Sequence, residues 1–177
     1  LLRAGGYRLA PIPGPLVAWE NPRAVPRAYT VYRTREARAA DEVLSALAAP
    51  DFDPLAESFV EGAAGFTAAP DAPPPGAAAT FVVDDATVVE LDVQLSAPGL
   101  VVLSDTFYPG WRATVDGQPV PIVATNHLFR GVAAPAGRHR VRFTYVPQWL
   151  YAGAAVSGVT ALVLLALARG RSAAAPT

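Results

Sequence analysis

The chain has 177 residues, a formal net charge of −1 and no cysteine. That length allows one domain with a sizeable core, and the charge balance argues against a nucleic-acid partner. Without cysteine there is neither a disulfide framework nor a thiolate metal site. The chain opens at Leu1 with no Met and no signal-peptide pattern, so it is expected to be a piece of something longer.

In chain order, Tyr7–Leu9 and Leu16–Trp19 are short apolar runs separated by Pro11, Pro13 and Pro15, which suits edge strands joined by turns. Val25–Arg33 is rich in aromatic and β-branched residues and predicts a strand. Glu36–Ala49 carries Ala40, Val43, Leu44 and Leu47 at helical spacing. Thr34 is the expected cap and Pro50 the stop. Phe52, in Asp51–Pro54, is expected to pack where the chain turns back, before a strand at Glu57–Glu61. Residues 62–79 are rich in Pro and Ala and predict an extended surface loop. Thr87–Leu95 then alternates, with Val89, Leu91, Val93 and Leu95 inward and Glu90, Asp92 and Gln94 outward.

The segment Leu100–Pro147 predicts four or five strands with explicit turn chemistry. Asp116-Gly117 suits a two-residue type I′ hairpin, Pro109-Gly110 breaks the chain, and Gly137 suits a left-handed turn. In the last strand Val141, Phe143 and Tyr145 share one face and Arg140, Arg142 and Thr144 the other. The sum is a mainly β protein: an antiparallel β-sandwich or jelly-roll-like domain with one packed α-helix.

Leu150–Ala168 carries no charge and is long enough to cross a bilayer. Trp149 and Tyr151 suit one membrane interface, and Arg169 and Arg171 the other side. The expected layout is an extracytoplasmic domain over 1–147, a transmembrane helix over 148–168 and a cytoplasmic tail over 169–177. Gly153, Ser157 and Ala161 form a small-residue stripe that would let a neighbouring helix approach.

The chain offers little catalytic chemistry. Asp51/Asp53 and Asp84/Asp85 are close in sequence, as in local turns, and do not resemble carboxylates facing across a cleft. His127 and His139 have no metal-motif spacing, and no nucleophile elbow or phosphate loop occurs. No catalytic residue, metal or cofactor is expected. His139 reads as a hydrogen-bonded histidine at a strand end. The remaining candidate is a ligand surface at Tyr108, Trp111, Asn126, His127 and Arg130, where aromatic rings could stack on a sugar and polar groups bond its hydroxyls. The alternative is core packing of Trp111, with Arg130 paired to Asp105 or Asp116.

The succession Tyr108–Trp111 (YPGW), Val115–Gly117 (VDG), Asn126, Arg130–Val132 (RGV), Pro135–Gly137 (PAG), Arg138–Phe143 (H-x-V-x-F from His139, with Arg138 as an extra residue before it) and Tyr145–Pro147 (Y-x-P) resembles the C-terminal extracytoplasmic segment of the YfhO family. A weaker match lies at Asn21–Tyr29 and Asp51–Pro54. Those are large bacterial multi-pass membrane proteins similar to GT-C glycosyltransferases. The resemblance implies a parent acting on polyprenyl-linked sugars in the cell envelope, with its catalytic acids in loops outside this chain. It implies as partners membrane lipid, other transmembrane helices of the parent and a lipid-linked sugar or glycan. A single-pass anchored β-module binding a glycan or protein is the alternative.

Overall fold

In a computed structural model, residues 6–37, 39–61 and 79–173 are described. The loop expected over 62–79 therefore lies outside the described residues, apart from Ala79. Two edge strands, β1 (Arg8–Ala10) and β2 (Ala18–Glu20), pair as a separate antiparallel ribbon. The remaining strands build two sheets. One contains β6 (Thr80–Asp84), β7 (Val88–Leu95), β9 (Trp111–Val115), β10 (Gln118–Val120) and β13 (Gly137–Tyr145), in the order β10-β9-β13-β7-β6. The other contains β3 (Ala28–Val31), β4 (Arg33–Ala37), β5 (Glu57–Glu61), β8 (Gly99–Thr106), β11 (Val123–Thr125) and β12 (Phe129–Ala134), in the order β3-β8-β12-β11-β5-β4. The sandwich-like, mainly β architecture expected from the strand pattern is borne out.

Two departures are informative. Val25–Arg33 is not one strand. Tyr32 separates β3 from β4, and these two lie at opposite ends of the six-stranded sheet. A sheet whose end strands are consecutive in the chain must curl toward closure, as twisted sheets do. Its last pair, β4 with β5, is parallel. The curl gives the sheet an interior of its own. Val101 and Leu103 of β8 join Leu91, Val141 and Phe143 between the sheets, while Leu100 and Val102 join Tyr29, Val31 and Val60 on the other side. Burial on both faces explains why β8 reads as an unbroken apolar run, Leu100–Leu103, with no alternation.

The second departure is the helix. α1 spans Ala40–Leu47, shorter than expected, with Ala39 at its N-cap and no side-chain cap bond. Thr34 and Glu36 lie in β4, where pairing with β5 takes the backbone groups a helix would use. Val43, Ala46 and Leu47 pack with Ala37, Phe52 and Phe59, and the Phe52 and Phe59 rings stack at 5.9 Å.

The Asp116-Gly117 turn has the expected geometry, with φ of 52° and 81°. Open space surrounds the place of a Gly117 Cβ, so a side chain there meets strain from φ alone. Gly117→Val is expected to destabilise the chain by about 1–3 kcal/mol, read from denaturant melts in detergent. An unchanged midpoint would show that the hairpin does not depend on a left-handed residue here.

Two residues after β13, α2 begins and runs over Gln148–Ala173. Its Gln148–Ala166 portion is apolar, with mean hydropathy 1.8, and is wholly unburied by the rest of the chain. The hydrogen-bonded helix continues beyond the expected end at 168, to Ala173.

Candidate functional site

The sheet edges bring Arg27, Asp105, Arg130 and Trp111 together. The cause is a register shift: Arg130 of β12 faces Leu103 of β8, while the preceding Phe129 faces Thr106. Ser104 and Asp105 are thus extra residues on the β8 side, a bulge that aims Asp105 across at Arg130. Arg130 Nη2 donates to Asp105 Oδ2 at 2.8 Å. Arg27, just before β3, donates to both oxygens of Asp105 at 2.8 and 2.9 Å and through Nη1 to Asp84. Asp105 is held below the ordinary carboxylate range, first by the Arg27 hydrogen bonds.

Arg130 is an uncommon group, a cation only 4% exposed at its side chain. Its Nε and Nη1 have no hydrogen-bond partner among the described residues. Compensation comes from Asp105 and from the ring of Trp111, whose centroid lies 3.8 Å from the guanidinium carbon. Tyr145 leans on Trp111 at 5.4 Å and on Tyr108 at 6.5 Å. The alternative weighed from the sequence was core packing of Trp111 with Arg130 paired to Asp105 or Asp116; Trp111 is partly buried against the core between the sheets, and Arg130 pairs with Asp105. Tyr108, by contrast, is 58% exposed.

These residues line an open cleft of about 700 Å³, with Asp85, Ser104 and Tyr145 in its wall. Its two arginines pair with Asp105, Arg27 also with Asp84, and Asp85 lies in the wall, so the cleft holds no surplus positive charge for a polyanion. Exposed phenol, hydroxyl and carboxylate groups beside a bare aromatic face suit a neutral, hydroxyl-rich ligand. No side chain here forms a nucleophile–base pair. Among the described residues no group of three or more His, Cys, Asp or Glu could hold a metal.

Tyr108, Trp111 and Arg130 therefore converge, whereas Asn126 and His127 lie elsewhere. Asn126 is buried at φ 48°, and its Oδ1 accepts the Phe59 N–H at 2.8 Å while Nδ2 donates to Ser58 and, at 3.5 Å, to Tyr29. It ties the β11–β12 turn to β5 and β3. His127, at φ 71°, stands 3.4 Å from Glu61 without hydrogen-bond geometry. With Leu44, Leu47, Phe52 and Leu128 these two line a second, more apolar hollow of about 390 Å³. His139 bonds Asp116 Oδ2 at 2.6 Å at the hairpin, matching its reading as a strand-end histidine. Arg27 was missed as a site residue, although it sits inside the Asn21–Tyr29 motif.

Compared with known protein families, residues 81–157 match the model described as bacterial membrane protein YfhO. The family resemblance read from the motifs is borne out over that span. The weaker upstream match at Asn21–Tyr29 and Asp51–Pro54 falls outside it. No curated protein and no solved structure matches the chain.

Proposed function

We propose, from the match of residues 81–157 to the model described as bacterial membrane protein YfhO, that this chain is the non-catalytic C-terminal extracytoplasmic domain and last membrane helix of a larger YfhO-like protein. In this reading the parent transfers a polyprenyl-linked sugar in the manner of GT-C glycosyltransferases, toward a cell-envelope polymer. The domain's cleft takes the hydroxyl-rich part of the donor or acceptor. The single observation that carries the reading is position: Tyr145, at the end of β13, lines the cleft, and α2, long and apolar enough to cross a membrane, begins directly beyond it. A cleft so placed opens beside the lipid surface, where a lipid-linked sugar resides.

Trp111 is covered by Arg130, so stacking on a sugar falls to Tyr108. In the intact parent, Tyr108→Ala is expected to lower sugar transfer by about 2- to 10-fold, the worth of one aromatic contact, at an unchanged level of folded protein. Trp111→Ala and Arg130→Ala are expected to lower folded protein as well. Transfer that is untouched by Tyr108→Ala, or that falls only in step with folded protein, would remove the ligand role and leave the cluster structural. The chain alone is expected to show no transferase or hydrolase activity.

A further inference from the structure

The end of the domain nearest α2 carries an exposed apolar rim that borders the cleft, sharing Tyr108 with its mouth. Phe107 is 41% exposed and Leu128 54%. They are neighbours, since the Phe107 N–H donates to the Leu128 carbonyl at 2.6 Å. Tyr108 follows directly. The register fixes which end of the domain this is. The loop Phe107–Gly110 leads into Trp111, which pairs with Tyr145, and the Val146 N–H donates to the Gly110 carbonyl at 2.7 Å. Only Val146 and Pro147 separate Tyr145 from Gln148, a reach of about 10 Å at full extension. Trp149 and Tyr151, exposed in the first turn of α2, are of the aromatic type that settles at a membrane interface.

We infer that Phe107, Tyr108 and Leu128 form a second membrane contact, a rim that rests in the interfacial layer of the leaflet α2 enters. The occupant is lipid because the patch lies at the end of the domain from which α2 departs, and α2 is long and apolar enough to cross a membrane. Three side chains that water would otherwise surround are removed from it at no further entropic cost of association, since α2 already tethers the domain. The contact fixes the tilt of the domain and holds the cleft mouth against the lipid. None of the three is charged, so contact forms on neutral phosphatidylcholine as well as on anionic lipid. The inference rests on the membrane reading of α2, and does not depend on the sugar-binding reading.

The absence of cysteine allows a direct test. Single-cysteine forms of the full chain, Phe107→Cys, Leu128→Cys, Ala136→Cys and Val159→Cys, would be labelled with an environment-sensitive fluorophore and reconstituted in phosphatidylcholine vesicles containing a headgroup-level lipid quencher. Ala136 is exposed beside the start of β13, at the opposite end of the domain. Labels at 107 and 128 are expected to emit at shorter wavelength and to be quenched, with 136 unaffected. Emission at 107 and 128 matching that at 136 would overturn the rim while a lipid-like signal at 159 shows α2 inserted. A water-like signal at 159 would overturn it also, by removing the membrane reading beneath it. Phe107 and Leu128 are both exposed and lie on different loops, so misfolding of one variant leaves the other to decide.

Discussion

Asp105→Asn is expected to cost about 3 kcal/mol or more of folding stability. Among the described residues Asp105 is the sole ionised partner within hydrogen-bond distance of Arg130, and Arg130 is almost fully buried. Taking away the carboxylate charge leaves that cation in the protein interior facing only the rings of Trp111 and, farther off at 5.6 Å, Phe143 among the described residues. Breaking a buried pair by removing one member costs about 3–5 kcal/mol, far more than the pair's net worth. Arg27 suffers less, since it is about 43% exposed and keeps Asp84.

The same physics orders the variants. Arg130→Met removes the cation and its desolvation penalty together, so it is expected to destabilise less than Asp105→Asn. The double variant is expected to be more stable than Asp105→Asn alone, a coupling that a double-mutant cycle in detergent would read. The pH dependence has a definite sign. The Asp105 carboxyl is depressed from its ordinary 3.8 by Arg27 first and by Arg130 as well, so its contribution is complete above that value. It is lost as pH falls through the lower, folded value. Asp105→Asn should abolish that part of the acid sensitivity. A loss under about 1 kcal/mol, or a double variant no more stable than Asp105→Asn, would show that Arg130 is not held by this carboxylate.

Much of the strand architecture could be read from period and turn chemistry, because those signals are local. The alternation of β7 and β13 and the Asp116-Gly117 hairpin are set by neighbouring residues. Glu90 shows what period leaves out. It keeps the outward face, with Arg140 and Arg142, yet it is buried, because those two arginines each hold one of its oxygens and cover it. The curl of the second sheet depends on a break at Tyr32 and a parallel pairing with β5, neither of which has a sequence signature. The split of the candidate site has a similar origin. Asn126 and His127 are near Arg130 in the chain, but the turn they form binds β5 and the hollow beside α1, while the bulge sends Arg130 to the cleft. Arg27 meets Asp105 from 78 residues away. Spacing could not show that contact; only the paired strands β3 and β8 create it.

The largest effect expected is all-or-none, and it concerns α2. Nineteen residues, Gln148–Ala166, have no burial within the chain. At about 1.5 Å per residue they span roughly 28 Å, close to the hydrocarbon thickness of a bilayer. Left in water, that surface would be a large apolar liability. In lipid it is satisfied, and the backbone groups are already bonded within the helix. From the positive-inside tendency of the arginines beyond it we propose a cytoplasmic C-terminus, and so a domain on the outer side.

Sidedness in intact cells tests this layout most directly. Two single-cysteine forms of the chain, Ala136→Cys in the domain and Thr177→Cys at the C-terminus, would be exposed to a membrane-impermeant thiol reagent before and after permeabilisation. The layout predicts modification of residue 136 in intact cells and of residue 177 only after permeabilisation. Modification of 177 but not 136 in intact cells, or of both alike, would contradict a single crossing by α2 with the β-domain outside.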